Sequence, residues 1–225
     1  MKPGRIYLDN CVSTALAPEV WQAMQPYFSE QFWFPGSFVS TGESANASVQ
    51  KFQSEIARTI GAKPEELHFT SGGTLANNLA IKGLAQAYAG AGRHIIVSVV
   101  DYPDLLTNAA YLEKQGFELS YLSADSEGFI NLQELKSAIR KDTILFMTTA
   151  VNHVIGTIQP LEEISPSLQA ADHKIYFHVD PGQAYGKLEL ELSKKGVDTI
   201  EIIATKIHRR QGIVTAYNRT DTKHG

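Results

Sequence analysis

With 225 residues, 43% of them hydrophobic and 20% charged, the chain has the size and balance of one large folded domain and is too apolar for a disordered segment. Twenty Lys and Arg against 24 Asp and Glu leave a net charge of −4, which gives a polyanion little to hold and argues against nucleic acid as a partner. The single cysteine, Cys11, excludes an internal disulfide and a cysteine-based zinc cluster, and it fits a reducing compartment.

The opening residues MKPGRIYLDN lack the apolar core of a secretory signal, and no stretch reaches the roughly eighteen unbroken apolar residues of a membrane span. A soluble, cytoplasmic protein with no membrane partner and no metal site is expected. No repeat or linker divides the chain, so residues 1–217 are expected to form one domain opening with an arm over 1–40, and 218–225 a polar tail. From Ala45 to Ile60 apolar residues step by three or four, which predicts an amphipathic helix ending near Gly61. A strand over Leu67–Thr70 then passes through Ser71-Gly72-Gly73-Thr74 into a helix starting around Leu75.

Further strands are predicted at His94–Val99, Leu119–Leu122, Thr143–Thr149, Lys174–Val179 and Thr199–Ile203, with a helix over Pro103–Lys114. A helical stretch follows Pro160, and Pro166 is expected to break or restart it. Strands this rich in Ile, Val and Phe suit a mostly parallel (mixed) sheet covered by helices on both faces, an α/β fold.

Ligands of such sheets sit at the carboxyl ends of the strands, so the residues following each strand carry the chemical argument. Gly73 and Thr74 stand where free backbone N–H groups and the helix dipole favour a phosphate, although an ordinary capped turn reads the same way. Asp180, with Gln183 three residues on, could pair with a protonated ring nitrogen or simply cap a turn. Thr205-Lys206 ends the apolar run TIEIIA, where a lysine is either solvated or a Schiff-base amine beside an apolar wall. Phosphate cradle, ring-nitrogen acid and Schiff-base lysine occur in that order, each directly after a predicted strand.

The segments IYLDN, SGGTLANNLAIKG, YLEKQGFE, NHVIGTIQPLEEI, YFHVDPGQAYGK and the strand leading to ATK resemble the cysteine desulfurase branch of the class V aminotransferases, from about Ile6 to about Tyr217. The resemblance implies the large domain of a fold-type I pyridoxal 5'-phosphate enzyme. Such enzymes are usually homodimers that take sulfur from L-cysteine, leave alanine and serve iron-sulfur cluster biogenesis. By position it assigns Gly73, Thr74 and Thr205 to the phosphate, Asn152 to the ring hydroxyl side, Asp180 to the ring nitrogen, Gln183 to the ring edge and Lys206 to the Schiff base.

The departures from that family concern catalysis. Its Glu-His-Pro string reads Asp101-Tyr102-Pro103 here, and a tyrosine can stack on a ring but is a poor general base near neutrality. Tyr102 is thus expected either in a catalytic and ring-stacking place or as a turn aromatic on Pro103. Ile203 and Thr205 replace a serine and a histidine of the family pattern, and Arg209 and Arg210 replace the Gly-Pro of its next turn. The family continues beyond the lysine into a small domain with a nucleophilic cysteine and a carboxylate-binding arginine, neither of which has a counterpart here. The resemblance therefore leaves open an active enzyme for a cysteine-like amino acid, completed by a separate small-domain chain, a degenerate cofactor-binding or interaction module, and a gene fragment.

Overall fold

The computed structural model describes residues 6–190, 195–210 and 212–219. In the expected arm, whose first five residues lie outside the described set, two short helices form, α1 (Pro18–Met24) and α2 (Pro26–Ser29). Each carries proline in its first turn, where a missing N–H costs nothing. Helix α3 (Ser40–Ile60) begins at Ser40 rather than Ala45, with Glu43 in its first turn to complement the helix dipole. It stops at Gly61, whose φ of 70° lets its N–H close back on the Ala57 carbonyl.

The remaining elements alternate: β1 (Leu67–Thr70), α4 (Gly73–Ala87), β2 (His94–Ser98), α5 (Pro103–Lys114), β3 (Glu118–Leu122), α6 (Leu132–Ala138), β4 (Thr143–Thr149), α7 (Leu161–Gln169), β5 (Tyr176–Asp180), β6 (Thr199–Ile203) and β7 (Val214–Asn218). The strands form one seven-stranded sheet in the order β1-β7-β6-β5-β4-β2-β3. It is mixed, because β7 runs antiparallel to both of its neighbours while β2 to β6 pair in parallel. The expected α/β class stands, but β7 was not among the expected strands. Thr215 and Asn218 interrupt its apolar run, and Asn218, expected to open the polar tail, instead closes this strand. Residues 220–225 of that tail lie outside the described residues.

Pro166 neither breaks nor restarts its helix, because α7 passes straight through it. Leu161, Ile164 and Leu168 are buried while Glu162 and Pro166 face outward, so the carbonyl that the proline leaves without a partner is on the solvated side.

Alternation along the strands divides the core between the two faces of the sheet. Ile95, Val97, Leu145 and Met147 pack under α4 and α5 with Ile81, Leu84, Leu105 and Leu112. Ile96, Phe146, Phe177 and Ile200 face the other way, toward α3, α6 and α7 with Ile60, Leu135, Ile164 and Leu168. No helix among the described residues is long and apolar enough to cross a membrane.

Phe146 is fully buried and its ring meets that of Phe177 at 5.4 Å between centroids. Phe146→Ala is predicted to lower the unfolding free energy by about 3–5 kcal/mol. Urea denaturation measures this, and a loss below about 1 kcal/mol would contradict the packing described.

Candidate active site

The carboxyl edge of the parallel strands gathers the expected site residues. After β1 the chain enters α4 through Gly72, extended at φ 178°, and no side chain caps the first turn of the helix. Backbone N–H groups at Gly73 and Thr74 therefore face the edge uncapped, an arrangement suited to an anion. Gly73 is fixed by close approach, since a Cβ on it would lie 2.9 Å from Glu201 Oε2 and 3.2 Å from Ile203 Cδ1.

Asp180 ends β5 and is buried, with Oδ1 accepting the Gly182 N–H at 2.8 Å. Burial pushes its carboxyl up from the usual range, opposed by the Gly182 hydrogen bond and by the positive charge of Lys206. Lys206 closes the 3-10 turn Ala204–Lys206 after β6. Its Nζ donates to the carbonyls of Cys11 at 2.5 Å and Val12 at 2.8 Å. Partial burial lowers the amine from its ordinary value, the direction that frees a nucleophilic nitrogen. Gln183 donates from Nε2 to the same Cys11 carbonyl at 2.7 Å, so both expected residues grip the amino-terminal segment.

That segment is itself stapled to the turn. The Thr14 N–H and hydroxyl both donate to the Thr205 carbonyl, the His208 N–H donates to Thr14 Oγ1, and the Ala17 N–H donates to the His208 carbonyl. The turn ends in a left-handed His208 at φ 58°, an unfavourable place for a β-carbon that these bonds hold. Arg210 lies over the Phe28 ring at 5.4 Å, which gives this guanidinium a partner on α2.

Tyr102 precedes α5 and meets His153 edge to face, with ring centroids 4.8 Å apart. Burial raises its hydroxyl further above the usual tyrosine value, and the neighbouring acidic side chains, Asp180 first, add to this. It is a weak base where it stands. Asn152 is committed to its own turn, Oδ1 accepting from the Val154 and Ile155 N–H groups while Nδ2 donates to the Val100 carbonyl at 2.8 Å. One amide hydrogen is left for a ligand. Cys11 is exposed, and its thiol donates to Asp9 Oδ1 at 3.2 Å.

Sequence reasoning passed over several residues that the structure brings to this edge. Asp101 is buried beside Tyr102, its Oδ1 accepting from the Thr149 N–H at 2.7 Å and from the Thr148 and Thr149 hydroxyls, and its Oδ2 from the Ser98 N–H. His153 Nδ1 is buried without a partner among the described residues. Glu201 was hidden inside an apolar strand, where a lone carboxylate is itself a signal.

Residues 6–224 match the family model for aminotransferase class-V, and the chain belongs to that family. Within it the similarity is to cysteine desulfurases. The chain is 42% identical over 218 residues to cysteine desulfurase IscS of Dictyoglomus turgidum, covering 97% of this chain and 55% of that relative. Among solved structures, a NifS-like protein superposes with a TM-score of 0.95 at 30% identity, covering 98% of this chain and 60% of that one. SspA, solved in complex with cysteine, gives 0.91 at 33% identity, covering 96% and 62%. The chain thus spans about half the length of the curated relatives it matches.

Desolvation pushes the Asp101 carboxyl up to about 7 against the four donors that hold it down. A folded-state value above the unfolded one means that the native state keeps a proton the unfolded chain has released, so Asp101 favours folding most at about pH 4 and loses that contribution as pH rises to about 7. The stability difference between the wild type and Asp101→Asn is predicted to shrink over this interval, as read by denaturant titration at a series of pH values. A difference independent of pH would contradict it.

Proposed function

We propose that this chain binds pyridoxal 5'-phosphate at the carboxyl edge of its sheet and acts on a cysteine-like amino acid, in the manner of the cysteine desulfurases it resembles. The observation that carries this reading is the meeting of Lys206, Asp180 and the uncapped start of α4, three groups from three different strand ends, at one edge. Each fits one part of the cofactor, amine to aldehyde, buried acid to ring nitrogen and free N–H groups to phosphate. When bound, the cofactor draws electrons away from the reacting carbon of the amino acid.

The chain's own residues would divide the work as follows. Lys206 holds the aldehyde carbon and moves protons from Nζ. Gly73, Thr74 and Thr205 hold the phosphate, and Asp180 keeps the ring nitrogen charged. Tyr102 stacks on the ring, Asn152 contributes its free amide hydrogen on the hydroxyl side, and Gln183 lies at the ring edge. Sulfur transfer to a protein thiol has only Cys11 to use in this sequence. The cysteine bound by SspA favours this substrate class. Partnership with a second copy, or with a separate chain carrying a small domain, belongs to the same proposal. The exposed Phe32, Phe34 and Phe38 of the arm are the surface that a second copy would cover.

A second reading, cofactor binding without turnover, is favoured by Tyr102 standing in an imidazole's place and by the double hydrogen bond that occupies Lys206 Nζ. One titration separates the two. Adding pyridoxal phosphate is expected to produce a visible absorbance band that Lys206→Ala abolishes. Alanine release from L-cysteine is then expected to be slow and to rise roughly tenfold or more in Tyr102→His, which restores a base titrating near neutrality. Absence of the band removes the proposal. A band with no alanine in either protein leaves the binding module.

A further inference from the structure

The face of the sheet under α4 is apolar across β2 and β4 but polar across β5 and β6. Thr199 Oγ1 bonds His178 Nδ1 at 2.8 Å, and His178 Nε2 bonds Asn77 Oδ1 at 3.0 Å. Because an amide oxygen only accepts, His178 carries its proton on Nε2 and Thr199 donates to Nδ1. Burial holds this imidazole neutral, at about 3. On the same face Asn77 Nδ2 lies beside Glu201 without a well-formed bond of its own, and Glu201, one residue past the Val179–Ile200 pair that registers β5 with β6, adjoins Asp180.

Glu201 is 1% exposed, and its Oε2 has no donor among the described residues. It sits against Gly73, at the start of the proposed phosphate cradle, and its partner is the proposed ring-nitrogen acid. Two adjoining carboxylates cut off from water cannot both be ionised cheaply, whereas a single proton between them turns repulsion into a hydrogen bond. The groups facing the pair are Asn77 from α4, Asp104 from α5, Tyr102 just before α5 and Lys206 from the turn after β6, and on β7 the residue opposite Glu201 is Ala216. Asp104 adds negative charge, which further disfavours a doubly ionised pair, and Lys206 lies on the Asp180 side.

We propose that Glu201 is a positioning residue that holds a proton against Asp180, so that the pair presents one negative charge, on Asp180, to the ring nitrogen of the cofactor. The role rests on the cofactor reading above. The proton itself does not, since burial and adjacency impose it on the chain alone. Burial raises the carboxyls of both residues, Glu201 well above its usual range, in keeping with the proton residing there.

Two measurements on the full chain test it. First, the infrared difference spectrum of the cofactor-free wild type minus Glu201→Gln at neutral pH is expected to contain the carbonyl stretch of one protonated carboxyl group. A difference spectrum without that stretch overturns the proposal. Second, pyridoxal phosphate affinity is expected to stay within about threefold of wild type in Glu201→Gln, whose amide still donates to Asp180, and to fall about tenfold or more in Glu201→Leu, which keeps the volume and loses the donor. Equal loss in both variants would mean packing alone and overturn the role, as would a Glu201→Leu protein that binds like the wild type. If the wild type itself binds no pyridoxal phosphate, the reading of the site fails and the positioning role falls with it, while the infrared spectrum still decides whether the pair holds a proton.

Discussion

The constraint on which the site depends is desolvation of two carboxyl groups, Asp180 and Glu201, held side by side between α4 and the sheet. Neither would survive there as an isolated charge, and everything close to them answers that cost. Gly73 has no side chain because Glu201 and Ile203 occupy the space. The Gly182 N–H bonds Asp180, and Asn77 and His178 replace apolar side chains along the inward face of α4 and β5. The helix whose first turn is left open for an anion is thus the same helix that roofs the buried acids. One shared proton on the acids would lower the repulsion that a negative ligand at the start of that helix meets from beneath.

A second dependence runs across the length of the chain. The turn holding Lys206 is anchored by Thr14, 191 residues earlier than Thr205 in sequence, and by Ala15 and Ala17 against His208. Closing so long a loop is entropically modest beyond the first few tens of residues, and four or more bonds at one place can offset it. The arm therefore fixes the orientation of the lysine side chain as well as covering it. Cys11 and Val12 lend their carbonyls to the amine, so a ligand aldehyde arriving at Nζ must displace bonds from the segment that carries the chain's only thiol.

Much of this was legible beforehand, and the part that was not has physical reasons. Apolar runs gave away β2, β4, β5 and β6 because both faces of those strands are covered. β7 escaped because Thr215, buried though polar, and Asn218 break the apolar run that marked the other strands. Pro166 is legible as a helix breaker from its chemistry alone, and only the fold reveals that its face of α7 is wet. At the site, Lys206, Asp180 and Gly73 could be found from their places after strands. Glu201 and Asp101 could not be assigned roles, because what makes them notable is the partners that folding brings: Asp180 for one, Thr148, Thr149 and Ser98 for the other.

Asp101 also explains how Tyr102 can stand where the family has a histidine without the edge collapsing. The carboxyl that precedes it ties the end of β2 to the end of β4 through four accepted bonds, so the backbone that presents residue 102 is set by its neighbour and not by the ring it carries. The ring is then free to vary. A tyrosine there keeps a flat surface and packs its edge against His153, but it sits near Asp180 and Asp104, whose negative charge opposes ionisation of its hydroxyl. Under the proposed function, the backbone that would hold a planar cofactor is thereby separable from the side chains that would move protons on it. In this chain the first is built from buried, well-bonded groups, whereas of the side chains proposed for the second, Lys206 is engaged by two carbonyls and Tyr102 is kept protonated by its own surroundings.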